Sequence, residues 1–227
     1  MTMDPIIIGA ISGLAAGFVT SRITLFQVKK RTDDATRINK VASLPTVAAI
    51  CAVSVILLAV IFGLYGYSVK SVEYALYALI ALSIGVVDLV LKRIPNLSVL
   101  ALLIVRLAAV VYELFSGASV KSALVPSLIG LVAAFILYQL PMFIGIPIGV
   151  GDVKFASAIG FCLGLFGFLE AAIIMAAGLL ILLAVLTATK KGSVRTNVPM
   201  GPFLALGTVF TMIFPIFEKI SQNVFGL

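Results

Sequence analysis

The stretch "GIPIGVGDVKFASAIG" runs from Gly145 to Gly160. It carries one acid, Asp152, with Gly149 and Gly151 just ahead of it and Lys154 two residues on. Hydrocarbon surrounds these charges. Residues 122–142 precede the stretch and residues 148–168 contain its acid, and each run has the ~20 mainly apolar residues that a membrane-spanning helix needs. The rest of the chain repeats the pattern. Its 227 residues are 62% hydrophobic and 11% charged, and the mean hydropathy is +1.25. Soluble domains are about half apolar and about one quarter charged. An ionised side chain at the bilayer centre costs roughly 2.5–3.5 kcal/mol or more, so scarcity of charge is what a membrane protein requires.

Apolar runs of spanning length occur at about 5–26, 44–66, 72–91, 97–115, 122–142, 148–168, 169–189 and 200–217. They predict an all-α, polytopic membrane helix bundle of about eight transmembrane helices. No linker rich in Ser or Pro divides the chain, so residues 1–227 read as a single membrane-embedded domain. The basic residues sort between the runs. Lys29, Lys30, Arg31, Arg37 and Lys40 follow the first run, Lys92 and Arg93 the third, and Lys190, Lys191 and Arg195 the seventh, with Lys154 near the start of the sixth. The other side has only Lys70, Lys121 and Lys219. The positive-inside rule then puts both termini outside and makes residues 27–43 a short basic cytoplasmic loop. Residues Met1–Pro5 lack the basic segment of a cleavable signal. Arg22 lies close enough to the cytoplasmic surface to snorkel. Arg106 is mid-span and requires a buried partner.

Composition excludes several chemistries. The chain has no histidine and two cysteines, Cys51 and Cys162, which do not form a CxxC pair. The usual Cys/His zinc site, a His-dependent triad and a His-ligated haem cannot be built. No metal or cofactor is expected. The net charge of +7 belongs to the membrane-flanking belts and is no sign of a nucleic-acid partner; lipid is the expected contact of those belts.

Most of the nine acids fall outside the membrane in this topology. Asp4, Glu73, Glu113, Glu170 and Glu218 lie at or near the external side, and Asp33 and Asp34 in the first cytoplasmic loop. Asp88 and Asp152 remain. Asp88 precedes Lys92 by one helical turn, ~6 Å deeper than the basic belt. Asp152 enters its helix from the same face, so the two acids come from antiparallel helices at similar shallow depth. Intramembrane acids are candidate functional residues. Each can instead pair with a neighbouring base, Asp88 with Lys92 and Asp152 with Lys154. If the two meet, one ionised carboxylate can take a proton from water while its protonated partner polarises a peptide carbonyl. Gly149 and Gly151 then leave room for a substrate backbone. A proton-coupled transporter can use the same acids, and a secretion-system assembly component is the other non-enzymatic reading. Two small-residue strips complete the pattern: Gly9, Gly13 and Gly17 in the first run, and Ala156, Gly160 and Gly164 on the Asp152 face. Both permit close helix packing.

These residues resemble a known family. "GVGDVK" is similar to the GxGD motif of intramembrane-type aspartyl proteases. Asp88, followed by "KRIPN" with Pro95 and Asn96, resembles the first catalytic aspartate of the type IV prepilin peptidases. "VPMGPFLALG", Val198–Gly207, is similar to a stretch near the C-terminus of the bacterial members, and "GLAAGFVTSRI", Gly13–Ile23, echoes their first helix. The presenilin branch pairs GxGD with Tyr-Asp and Pro-Ala-Leu; here Val87 precedes Asp88 and Pro-Ala-Leu is missing.

The resemblance implies a multi-pass enzyme of the cytoplasmic (inner) membrane. It would cleave basic leaders from prepilin or pseudopilin substrates at the cytoplasmic face. Asp88 and Asp152 would be the catalytic pair, Gly149, Gly151 and Lys154 part of the motif, and Pro199, Gly201 and Pro202 structural support. Many bacterial members also carry a cysteine tetrad in a long first loop and methylate the new N-terminus. The loop here has no cysteine, which implies a short, peptidase-only form without N-methyltransferase activity.

Overall fold

The computed structural model describes residues 4–143, 145, 148–189 and 199–225. Lys190, Lys191 and Arg195 of the basic belt, and Val198 of the C-terminal motif, lie outside them. Every regular element among the described residues is helical: α1 Pro5–Lys29, α2 Ala35–Ala42, α3 Leu44–Tyr65, α4 Val69–Leu91, α5 Asn96–Phe115, α6 Val120–Phe143, α7 Val150–Ala188, α8 Gly201–Ile213 and α9 Ile216–Phe225.

The helices pack with small and polar residues inward and large apolar ones outward. In α1, Gly9, Gly13, Gly17, Thr20, Ser21, Thr24 and Gln27 are buried, whereas Ile11, Leu14 and Phe18 are 49–61% exposed. Lipid is as apolar as leucine, so close backbone packing and interhelical hydrogen bonds hold such helices together. The three glycines of α1 lie against the backbone of α3 at Leu58, Val55 and Cys51. Thr24 Oγ1 meets Ser83 Oγ of α4 at 2.8 Å, and Gln27 Nε2 donates to Ser98 Oγ of α5 at 2.7 Å. Arg22 is exposed and stacks over Phe18 at 4.7 Å. α4 is the central helix: 61% of its most apolar window is buried, against 11–28% in the other long helices. Around it Tyr77, Ile84, Leu102, Phe155, Ile159, Phe168, Leu204 and Met212 form the core.

Six helices are long and apolar enough to cross a membrane, against the eight runs expected. Two local features account for the difference. The 39-residue α7 joins residues 148–168 to 169–189, and its break falls at Gly164 (φ 70°, ψ −176°), a conformation essentially confined to glycine. Before the break, Gly160 packs on Gly130 and Gly164 faces Pro126. After it, Phe168 and Met175 return toward Tyr138, with rings 6.2 Å apart and the hydroxyl 3.0 Å from Met175 Sδ. The chain thus turns back at Gly164 and not at the expected 168/169 boundary. The last run, 200–217, stops earlier: α8 has 13 residues, because Phe214 precedes Pro215 and leaves the helical region (φ −126°, ψ 74°).

The segment expected to be loop, 27–43, contains α2. Asp34 caps it by accepting the Thr36 N–H at 2.9 Å. Val41 and Ile38 pack against Val28, Val87 and Leu91, so α2 covers the end of α4 that carries Asp88.

Candidate active site

Asp88 occupies the last turn of α4 and is 4% exposed. Helix α4 ends because Lys92 is left-handed (φ 51°, ψ 43°), its N–H closing on the Asp88 carbonyl. The extended turn through Pro95 then starts α5. This sharp exit holds the Asp88 side chain at the helix end, with the Lys92 charge within electrostatic reach. Asp88 Oδ2 accepts the backbone N–H of Gly201 at 2.9 Å. Gly201 is the first residue of α8, so its N–H has no partner within its own helix. Asp88 therefore sits on the positive end of α8.

Asp152 occupies the first turn of α7, three residues after the N-cap Gly149. Its carboxylate folds back over that cap: a Cβ at position 149 would lie 2.6 Å from Asp152 Oδ2. An acid in a helix's first turn is favoured by the exposed N–H groups there. The carboxylates of Asp88 and Asp152 lie within electrostatic reach of one another, and Tyr138 lies within reach of Asp152. Two acids distant in sequence thus come within electrostatic reach of one another, each beside the start of a helix.

The other expected site residues separate by role. Gly201 supports Asp88 directly, since a Cβ there would lie 2.8 Å from Asp88 Oδ2 and 3.0 Å from its Cβ. Pro202 packs on Gly85, one turn before Asp88. Pro199, half-buried, leads into this helix start. The space at Gly151 is taken by the Ile94 side chain, with a Cβ there 3.2 Å from Ile94 Cβ. At Gly149 and Gly151, where room for a substrate backbone was expected, the missing side chains leave room for Asp152 itself and for the turn that follows Asp88. Pro95 is buried in that turn and Asn96 is exposed. Lys154 is exposed. It faces a groove of about 640 Å³ shared with Asn96, Phe135 and Ser157, and forms no ion pair with Asp152 among the described residues.

A second charged cluster lies in the opposite half of the bundle. Arg106 Nη1 reaches Glu73 at 3.0 Å and Glu113 at 2.9 Å. Its Nε donates to Ser127 Oγ at 2.9 Å and its Nη2 to the Ala123 carbonyl at 3.0 Å. Tyr77 donates to Glu73 Oε1 at 2.6 Å. These are the partners that the mid-span Arg106 required. Glu170, 3% exposed, accepts the N–H groups of Ile216 and Phe217 at 3.3 and 3.1 Å and anchors the start of α9. Sequence reasoning named these acids only as external.

The residues that it missed at the aspartates are Ile94, Gly85 and Tyr138. The Ile94-Gly151 and Gly85-Pro202 contacts depend on helix register, which one sequence does not show. The chain matches no family model, no curated protein and no solved structure in comparisons with each.

Proposed function

We propose that the protein is a membrane aspartyl endopeptidase that removes the basic leader from prepilin or pseudopilin-like substrates at the cytoplasmic face. The observation that carries this reading is that Asp88 and Asp152 lie within electrostatic reach of one another, beside the N-termini of α8 and α7. Two carboxylates in mutual reach can hold a water between them. The ionised member takes a proton from the water as it attacks the scissile carbonyl, and the protonated member donates to the carbonyl oxygen. The proton held by the first then passes to the leaving amine as the tetrahedral intermediate collapses.

Counting each limb of α7 and the short α8 as a crossing gives eight. Both termini are then external, and the aspartates lie on the side of Lys29, Lys30, Arg31, Lys92 and Arg93. In this reading the protein is a multi-pass component of the cytoplasmic (inner) membrane and lacks the methyltransferase function. The Glu73–Arg106–Glu113 cluster would favour proton-coupled transport if it connected to the aspartates. However, Tyr77 and Asp88 are separated by about 16 Å of α4, alongside the fully buried Ala81, Ile84, Leu102 and Ile159. That layer supports the peptidase reading.

The test is co-expression with prepilins from the same cell, following leader loss by gel shift. Cleavage is expected with the wild type and absent in Asp88→Asn and in Asp152→Asn. Undiminished processing in both variants would refute the assignment.

A further inference from the structure

Glu73 is 8% exposed, and its bonds fall on one oxygen: Tyr77 and Arg106 both donate to Oε1. Oε2 accepts no hydrogen bond among the described residues, yet it is not closed off from water. Glu73 borders a cavity of about 400 Å³ in the half of the bundle opposite the aspartates. A carboxylate oxygen held inside a bundle calls for a donor. Four more charged side chains, from α4, α5 and α9, line the same cavity: Lys70, Arg106, Glu113 and Glu218. Tyr74 and Tyr112 form part of its wall. Small-molecule sites have volumes of about 300–1,000 Å³ and combine apolar walls with a few polar groups.

The donors already engaged decide the sign of the ligand. A guanidinium has five N–H donors, and Arg106 places all five, on Ser127 Oγ, Glu73 Oε1, both Glu113 oxygens and the Ala123 carbonyl. None remains for an anion. Around the cavity three carboxylates face two cations, so one negative charge is unmatched. Lys70 shows which kind of cation fits. Its ammonium lies over the rings of Tyr65 and Tyr74, at 5.4 and 5.3 Å, and forms no ion pair with the three acids among the described residues. Glu218 is within electrostatic reach of both rings. The wall thus already holds a tethered primary ammonium by cation–π contact.

We propose that this cavity binds a small primary ammonium carried on a short apolar body. Its N–H groups bond Glu73 Oε2 and Glu113, and its body lies against Tyr74 and Tyr112. A quaternary ammonium has no N–H for Oε2, and a dication exceeds the single unmatched charge. Leu163 and Gly164 also border the cavity, so an occupant braces the turn within α7. The site is separate from Asp88 and Asp152, and the inference holds whatever those aspartates do.

The experiment titrates phenethylammonium into the full chain in phosphatidylcholine nanodiscs by calorimetry, with empty nanodiscs subtracted. Phenylpropionate, of the same shape and opposite charge, is the control. The wild type is expected to bind the ammonium saturably and the propionate not at all. Glu73→Gln keeps an acceptor for Tyr77 and Arg106 but removes the charge, and is expected to lower affinity about 10-fold. Lys70→Met removes the tethered competitor and is expected to raise affinity about 2- to 5-fold, the worth of an exposed cation–π contact. Lys29→Gln, at the other end of the bundle, is expected to change nothing. A thermal melt matching the wild type establishes that each variant is folded; if Glu73→Gln fails it, Lys70→Met decides. Absence of saturable binding, equal binding of the propionate, or wild-type affinity in Lys70→Met or in folded Glu73→Gln overturns the inference and leaves the cluster as an ion network that only supports the fold.

Discussion

Gly201→Ala tests the geometry at Asp88 with one carbon atom. The added Cβ would lie 2.8 Å from Asp88 Oδ2, 3.0 Å from Asp88 Cβ and 3.1 Å from Cγ. Ordinary contact begins near 3.4 Å, so the carboxylate and the start of α8 must separate by roughly half an ångström. Rotation of the carboxylate alone does not relieve the clash, because Asp88 Cβ is tied to the α4 backbone. The separation stretches the 2.9 Å Gly201 N–H bond, and a hydrogen bond to a charged group contributes about 1.5–3 kcal/mol. Displacement of a reacting group by ~1 Å can cost about 100-fold in rate. The expected result is a fall in kcat of about 10- to 100-fold with KM nearly unchanged, since Gly201 is buried and away from the groove. The assay is leader cleavage by purified protein in liposomes, using one synthetic prepilin. Gly149→Ala makes the matching test at the other acid: its Cβ would lie 2.6 Å from Asp152 Oδ2, the carboxylate must swing away, and a comparable fall in kcat is expected. A Gly201→Ala enzyme with wild-type kcat would show that Asp88 needs no support from α8, and the reasoning would fail.

Three further outcomes follow from other parts of the bundle. Arg106→Met leaves the buried Glu73 and the half-exposed Glu113 without their cation, and is expected to destabilise the fold by about 3–5 kcal/mol, read as a lowered thermal midpoint in detergent. Gly164→Ala forces a side chain into a glycine-only conformation, and is expected to cost about 1–3 kcal/mol by the same measurement, whereas Gly63→Ala in α3, which is helical, meets only the flexible Ile6 side chain and costs less. Cleavage is expected to follow a bell-shaped pH profile, because only the singly protonated pair is competent: activity falls toward acid as both carboxyls protonate and toward base as both ionise. In Asp152→Asn the residual rate, where measurable, should lose that bell shape.

The helical class was legible because hydrocarbon permits few charges, and the runs that became α1 and α3 to α6 differ from expectation by only a few residues. The turn inside α7 was not legible to the same degree. Residues 155–169 carry no charge, so nothing in composition separates Gly164 from Gly160 or Gly167; only the positive φ does. Helix α2 escaped because it is only eight residues long, half of them polar (Thr36, Arg37, Asn39 and Lys40), and its apolar face consists of just Ile38 and Val41. Matching depth made it legible that Asp88 and Asp152 would come within electrostatic reach, but the bond joining Gly201 to Asp88 was not legible. Arg106 shows a signal that was present and unused. Glu113 lies seven residues on, two turns along the same helix face, where a long guanidinium can reach it.

The bond between Asp88 and Gly201 spans 113 residues of sequence, and it has a temporal consequence. During synthesis α4 and the first limb of α7 are inserted before α8 exists. Until α8 has been made, Asp88 lacks the N–H that orients it and the helix end that supports its charge. A chain cut short before Gly201 would therefore contain both acids and still lack the contact that holds Asp88 in place.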